Sequence, residues 1–255
     1  MESCFVGIDL SWTARRPSGL AVIEHTPSGW RLSTRSETVA AWDLANWLSS
    51  LGERVVVGVD APLVVGPDRT AEAEMAGALG GRGVRAFAAG TAFLERHNFV
   101  AGPELARALA AAGWTLGPPP GDDAAGRFAF ETFPRGLAVT LLGFERPPEY
   151  KRGPLVQRGG ELARLRDALA DRLEQAAIPG DLPELPGAAE GSCPLGRALK
   201  DAEDRLDAAL CALAAFTARA GVDRADRFGA PEAGEIVLPG ASGVTSAPGR
   251  SSPSG

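Results

Sequence analysis

The sequence predicts an α/β fold: a five-stranded mixed sheet in the order β-β-β-α-β-α-β-α, with helices on both faces and a mostly helical insertion between strands four and five. Three observations predict it. Two unbroken apolar runs, CFVGIDL at 4–10 and RVVVGVD at 54–60, read as strands buried on both faces, and each reaches an aspartate at its end. Between them, 19–25 and 30–36 read as shorter strands around a Thr-Pro-Ser-Gly turn at 26–29. Three later or intervening segments, 40–51, 160–176 and 195–221, carry apolar residues at helical spacing.

Taken in order, 4–10, 19–25 and 30–36 form an antiparallel meander. AAWDLANWLSSL at 40–51 follows, with Leu44, Trp47, Leu48 and Leu51 on one face and Gly52 as its stop. The strand 54–60 is ended by Ala61-Pro62. Within an insertion at about 66–126, DRTAEAEMAGAL (68–79) and PELARALAAAG (103–113) read as helices and LGPPPGDDAAG (116–126) as a loop. RFAFETF at 127–133 alternates as the fifth strand, and a short helix starts after Pro134. EYKRGPLVQRGG (149–160) and PGDLPELPGAAEGSCP (179–194) read as loops on either side of the helix 160–176. Residues 1–228 are assigned to one domain. Residues 229–255, rich in Gly, Ser and Pro, are expected to be a disordered tail.

Composition narrows the function. With 255 residues, 45% hydrophobic and 23% charged, the chain can bury a substantial core. A net charge of −6 argues against a broad basic surface for duplex nucleic acid but leaves room for a local basic groove. Nearly all the basic charge is arginine, with Lys151 and Lys200 the only lysines. Cys4, Cys193 and Cys211 are widely spaced, which suits free thiols, and His25 and His97 lie too far apart in sequence to suggest a zinc site. The N-terminal segment lacks a signal-peptide pattern, and no run of eighteen apolar residues occurs, so a cytoplasmic protein without a membrane span is expected.

The acids carry the chemistry. Asp9 and Asp60 end buried strands, where a carboxylate is costly unless paired with a cation. The carboxyl ends of strands are also where open α/β sheets bind ligands. On neighbouring strands the two would lie roughly 5 Å apart. On the last helix, Leu206, Leu210, Leu213 and Thr217 form a core seam, and Asp204 and Asp207 project from one flank, one turn apart. A cluster of hard oxygen ligands suits Mg²⁺ or Mn²⁺. Two such ions about 4 Å apart can activate water and stabilise a leaving oxygen in phosphodiester hydrolysis.

That order of elements and acids resembles the ribonuclease H-like superfamily, in particular its Holliday-junction-resolvase branch. The blocks GIDLSW with SGLAVIE, VVVGVDAPL, FETFPRGLAVTLLG, YKRG and EDRLDAALCALAAF resemble those of the family DUF429, whose members are described as predicted ribonuclease H-like nucleases. The resemblance implies Asp9, Asp60, Asp204 and Asp207 as catalytic acids, with metal held by Asp9, Asp60 and Asp207. It adds Glu131 as a further acid. The implied activity is metal-dependent hydrolysis of DNA or RNA. At 133–135 the chain has Phe-Pro-Arg where the family pattern has His-Pro-Glu, so that segment is given no acid or base role.

Other residues complete the set. Lys151 and Arg152, in a Gly-rich loop, could hold a phosphate. Arg82, Arg85 and Arg96 could form a groove wall. His97 could shuttle a proton, and Trp42 and Trp47 read as packing residues. Two rival functions stand beside the nuclease. One is an actin- or sugar-kinase-like phosphotransferase, for which GIDLS would be the first phosphate loop but Asp60-Ala61-Pro62 lacks the glycine of the second. The other is a non-catalytic binding protein.

Overall fold

A computed structural model describes residues 3–13, 16–97, 99–121, 124–186, 195–219 and 225–240. The first three strands, β1 (Cys4–Asp9), β2 (Ser18–Thr26) and β3 (Gly29–Glu37), form the antiparallel meander, with Asp9 facing Gly19 and Thr26 facing Gly29. Helix α1 (Ala41–Ser50) then crosses to β4 (Arg54–Asp60), which returns parallel to β1. Helices α2 (Ala71–Leu79), α3 (Thr91–His97) and α4 (Ala101–Ala111) and the two-residue β5 (Thr115–Leu116) lie between β4 and β6 (Gly126–Glu131). There follow α5 (Pro134–Thr140), α6 (Leu155–Gln175), α7 (Leu195–Ala218) and a hairpin of β7 (Ala225–Ala230) and β8 (Gly234–Pro239).

The sheet therefore has eight strands rather than five, ordered β3-β2-β1-β4-β6-β8-β7, with β5 also paired to β6. The additional strands are β5, β7 and β8. Strand β5 contributes two residues, too few to show a period, and β8 meets β6 at the single pair Glu131–Ile236. The boundary expected at 228 falls inside β7, and Ile236, Val237 and Leu238 are core residues. Glycines at 229 and 234 give this stretch the composition of a tail, yet they serve the hairpin. Both have positive φ, and the Gly229 N–H donates to Glu74 Oε2 at 2.8 Å, tying the hairpin to α2.

Two other boundaries differ. Helix α3 has seven residues, too few to be read by period. Helix α6 starts at Leu155, before the Gly159-Gly160 pair that reads as loop. Its buried Leu162, Leu165, Leu169 and Leu173 dock it, and Arg158 in its first turn is bonded to Glu203 and to the Tyr150 carbonyl, which outweighs the cost of two helical glycines.

Strand parity sorts the core into two layers. Phe5 and Val56 pack with α5, α6 and α7, whereas Val6, Ile8, Val57 and Val59 pack with α1 and α4. Gly7 and Asp9 share the parity of Phe5, and Gly58 and Asp60 that of Val56, so both strand-end acids face α7. That helix is buried on every side from Leu206 to Ala218, not only along one seam, because α5 and α6 cover its outer face. Among the described residues no helix is long and apolar enough to cross a membrane.

Candidate metal centre

Parallel pairing of β1 and β4 sets Asp9 and Asp60 side by side as register partners. The third acid arrives because α7 lies unusually close to the sheet. A methyl group on Gly7 would fall 1.9 Å from the Ala208 carbonyl oxygen, and one on Gly58 would fall 2.6 Å from that of Cys211. On β2, Gly19 meets the Asp204 carbonyl in the same way, at 2.0 Å. Glycine on the strands and alanine on the helix thus bring backbone against backbone. Asp207 is thereby placed over the ends of β1 and β4. Asp9, Asp60 and Asp207 each offer a carboxylate oxygen within 4.8 Å of the others.

Asp207 is 0% exposed and held from two sides. The Tyr150 hydroxyl, itself buried, donates to Oδ1 at 2.6 Å. Lys151 Nζ lies 2.8 Å from Oδ2 and 3.8 Å from Asp60 Oδ2. Its approach to Oδ2 is outside hydrogen-bonding direction, so Oδ2 is a buried oxygen with a counter-charge but no directed donor. Asp204, one turn before Asp207, is bonded to Lys200, which also reaches Glu203 at 2.9 Å. Glu203 accepts from Arg158 at 3.1 Å, and Arg158 donates to the Tyr150 carbonyl at 2.8 Å. A continuous polar network therefore joins Asp204 to Asp207 through α6 and the Tyr150 loop.

The electrostatics follow from this crowding. Burial pushes the Asp9 carboxyl well above the ordinary range; Lys151 pulls it back, and Asp207, Asp60 and Asp204 push it up again. Asp60 rises from 3.8 to about 6 by burial first, again opposed by Lys151 and reinforced by Asp207. Lys151 loses solvation, but Asp207, Tyr150, Asp60 and Asp9 together hold its ammonium more strongly charged than usual. With the four aspartates ionised, Lys151 and Lys200 leave the group net negative, the sign that favours a bound cation. All-oxygen donors, their spacing and the undonated Oδ2 fit a hard divalent cation in kind.

The other sequence candidates divide between the site and its surroundings. Glu131, at the end of β6, is outside the cluster. Arg69 grips it at 2.5 and 3.1 Å, and the Leu63 N–H donates to it at 3.2 Å. Arg69 also bonds Glu72 and the Val64 carbonyl, so this closed ion pair pins the chain just after Asp60 instead of offering a free ligand. Lys151 stands among the acids, not at a separate phosphate position, while Arg152 lies 6.0 Å over the Phe87 ring. Arg82 donates to the carbonyls of Phe144 and Glu145, Arg96 is exposed on α3, and only Arg85 of that trio lines the cavity beside the acids. His97 stacks on Phe99 at 5.4 Å, in an aromatic group and not in the acid cluster. Trp47 is half-buried under Arg35, but Trp42, 57% exposed, is not a packing residue.

Sequence reasoning missed Tyr150 and Lys200. The available signal was rarity: Tyr150 is the chain's one tyrosine, and both of its lysines are at this site. Burial pushes the thiols of Cys4 (to about 12) and Cys211 upward, away from nucleophilic use; Cys193 lies outside the described residues.

The acids open on a cavity of about 1550 Å³, lined by Asp9, Asp60, Asp204 and Lys151; Asp207, fully buried, does not line it. Residues 7–233 match the family described as "Protein of unknown function (DUF429)", and the chain belongs to that family. No curated protein and no solved structure matches it.

Proposed function

We propose that this DUF429 protein is a divalent-metal-dependent nuclease with a ribonuclease H-like fold, hydrolysing phosphodiester bonds of DNA or RNA. The observation that carries the reading is the convergence of Asp9, Asp60 and Asp207 within 4.8 Å at the carboxyl ends of two parallel strands. The strand order β3-β2-β1-β4-β6, with the first three antiparallel and the next two parallel to β1, supports the fold assignment.

When bound, a pair of Mg²⁺ or Mn²⁺ ions supplies Lewis-acid stabilisation of the phosphoryl and leaving oxygens and eases deprotonation of the attacking water. The chain's own groups do the rest. Asp9, Asp60 and Asp207 would hold the ions. Tyr150 fixes Asp207 Oδ1 so that Oδ2 faces the cluster. Asp204, held by Lys200, acts through its neighbours. Water is the nucleophile and no bond forms between substrate and protein.

The test is a panel of single- and double-stranded DNA and RNA incubated with purified protein in Mg²⁺, Mn²⁺ or EDTA. Cleavage is expected only with metal, abolished in Asp9→Asn and Asp207→Asn and reduced in Asp204→Asn, with the fold retained. Cleavage that survives in Asp9→Asn, or none on any substrate, overturns the reading. ATP-dependent phosphorylation of a small molecule by the wild type would favour the kinase-like alternative.

A further inference from the structure

The cavity beside the acids has a second wall with a different chemistry. Phe87 is 66% exposed and Trp12 39% exposed, and both line the cavity with Phe93 and Phe99. The four rings form a continuous series: Phe87 to Phe93 at 6.4 Å and nearly parallel, Phe93 to Phe99 at 6.0 Å, and Phe99 to Trp12 at 3.7 Å. Both ends of the series are anchored at the acid site. Trp12 follows Asp9 by three residues, and Arg152, whose guanidinium stands 6.0 Å over Phe87, follows Lys151 directly. Arg16, Arg85, Arg146 and Arg197 line the same cavity, and among the described residues none of them makes an ion pair.

Exposed aromatic rings grouped in a cavity mark a surface that something covers. Unpaired arginines in the same cavity offer positions for anionic groups of an occupant. A free phosphate would leave the rings unused, and an apolar peptide would leave the guanidinium groups unanswered. A paired duplex offers phosphates but keeps its base faces stacked internally. An unpaired strand offers both at once, base faces for the rings and phosphates for the arginines. We infer that this wall is a base-stacking subsite for single-stranded nucleic acid, or for nucleotides unpaired from a duplex, feeding the backbone toward Asp9 and Asp60. The inference rests on the nuclease reading only for the fate of the bound strand.

The experiment measures binding of fluorescein-labelled oligo(dT), oligo(U) and a blunt duplex of equal length by anisotropy, with Ca²⁺ as the cation. The single strands should bind at least about tenfold more tightly than the duplex. Their order assigns DNA or RNA. Phe87→Ala and Phe93→Ala should each weaken strand binding by about tenfold, within the range expected for loss of one base–aromatic stack, and change duplex binding less than about twofold. Phe87→Tyr, which keeps the ring, should restore it. Four arginines on phosphates predict a log–log salt slope of about −3, at ~0.7 per contact. Equal affinity for duplex and strand, or strand binding indifferent to Phe87 and Phe93, overturns the subsite. Strand binding that depends on Phe87 in a protein that cleaves nothing leaves the subsite standing and removes the hydrolase. Metal-dependent cleavage of duplex, indifferent to Phe87, does the reverse.

Discussion

Lys151 Nζ stands 2.8 Å from Asp207 Oδ2 and 3.8 Å from Asp60 Oδ2, so a tethered ammonium shares the ground a metal ion would take. An ammonium is a compact charge that fits among carboxylates, whereas a guanidinium is a planar fork. In a chain whose basic residues are otherwise arginine, both lysines meet aspartates of this site.

Lys151→Met should therefore destabilise the protein in EDTA, by roughly 1–3 kcal/mol, because it leaves buried Asp207 without its counter-charge; the figure is reduced from that for a fully buried pair because Lys151 is 32% exposed. Millimolar Mn²⁺ should narrow the gap by replacing the lost charge. Lys151→Arg should not restore wild-type stability. Urea unfolding of the three proteins in EDTA and in Mn²⁺ measures this, and an unchanged midpoint for Lys151→Met in EDTA would count against the tethered-cation role.

The Tyr150–Asp207 hydrogen bond gives a second prediction. Tyr150→Phe keeps the ring and deletes the 2.6 Å donor, stranding Oδ1 inside the core. A hydrogen bond to a charged group contributes about 1.5–3 kcal/mol. The variant should lose stability of that order and bind Mn²⁺ more weakly by calorimetry, since only the Lys151 ion pair then holds the Asp207 carboxylate. Wild-type Mn²⁺ affinity in Tyr150→Phe would show that the tyrosine is structural only.

Much of this site was legible before the structure. The aspartates at 9 and 60 are visible because they terminate apolar strands, and Asp204 and Asp207 because helical spacing pairs them. The small Ala208, Ala209 and Ala212 already let the helix pack close to a sheet; what sequence reasoning lacked was the complementary surface on the strands. It lay in Gly7 and Gly58, whose parity matches that of Asp9 and Asp60, opposite Ala208, Cys211 and Ala212. Glu131, which the family resemblance added as a further acid, is bonded instead to Arg69, sixty-two residues away in the chain, a tertiary partner that no local pattern reveals. The β7–β8 hairpin was hidden because its glycines resemble tail composition, and its pairing with β6 is a tertiary fact.

Gly7→Ala tests that packing. Its Cβ would lie 1.9 Å from the Ala208 carbonyl oxygen and 2.2 Å from the Ala212 nitrogen, both backbone atoms of a buried helix. Overpacking of this kind costs about 1–3 kcal/mol and sometimes more. The variant should unfold earlier in urea and lose Mn²⁺ affinity as α7 is pushed off the sheet. Gly80→Ala, with nothing within 4 Å and a helical φ of −62, is the control and should be close to neutral. Equal midpoints for Gly7→Ala and wild type would mean that α7 can shift without cost.

The raised carboxyls predict how stability depends on pH. Asp60 titrates near 6 in the folded protein instead of 3.8, and Asp9 is also raised, with burial the first cause for both. A group raised in this way binds its proton more tightly when folded, so between about pH 4 and pH 6 the native state holds more protons than the unfolded chain. Its contribution to stability is complete at low pH and is lost as pH rises through the folded value. A shift of this size corresponds to a loss on the order of 3 kcal/mol, shared by a pair that titrates together. Carboxyls held low elsewhere, such as Glu74, have the opposite sign, so the informative quantity is the difference between wild type and Asp60→Asn. In EDTA, that difference should grow in favour of Asp60→Asn from pH 4.5 to pH 7.5, because the variant has no proton to lose there. With Mn²⁺ present, the wild type should regain stability as pH rises, since the ion binds the deprotonated acids and stabilises by linkage. Thermal melts across that range, with EDTA or Mn²⁺, test both trends. A difference in EDTA that is flat, or that favours wild type with rising pH, would show that the three acids are not crowded as the structure places them.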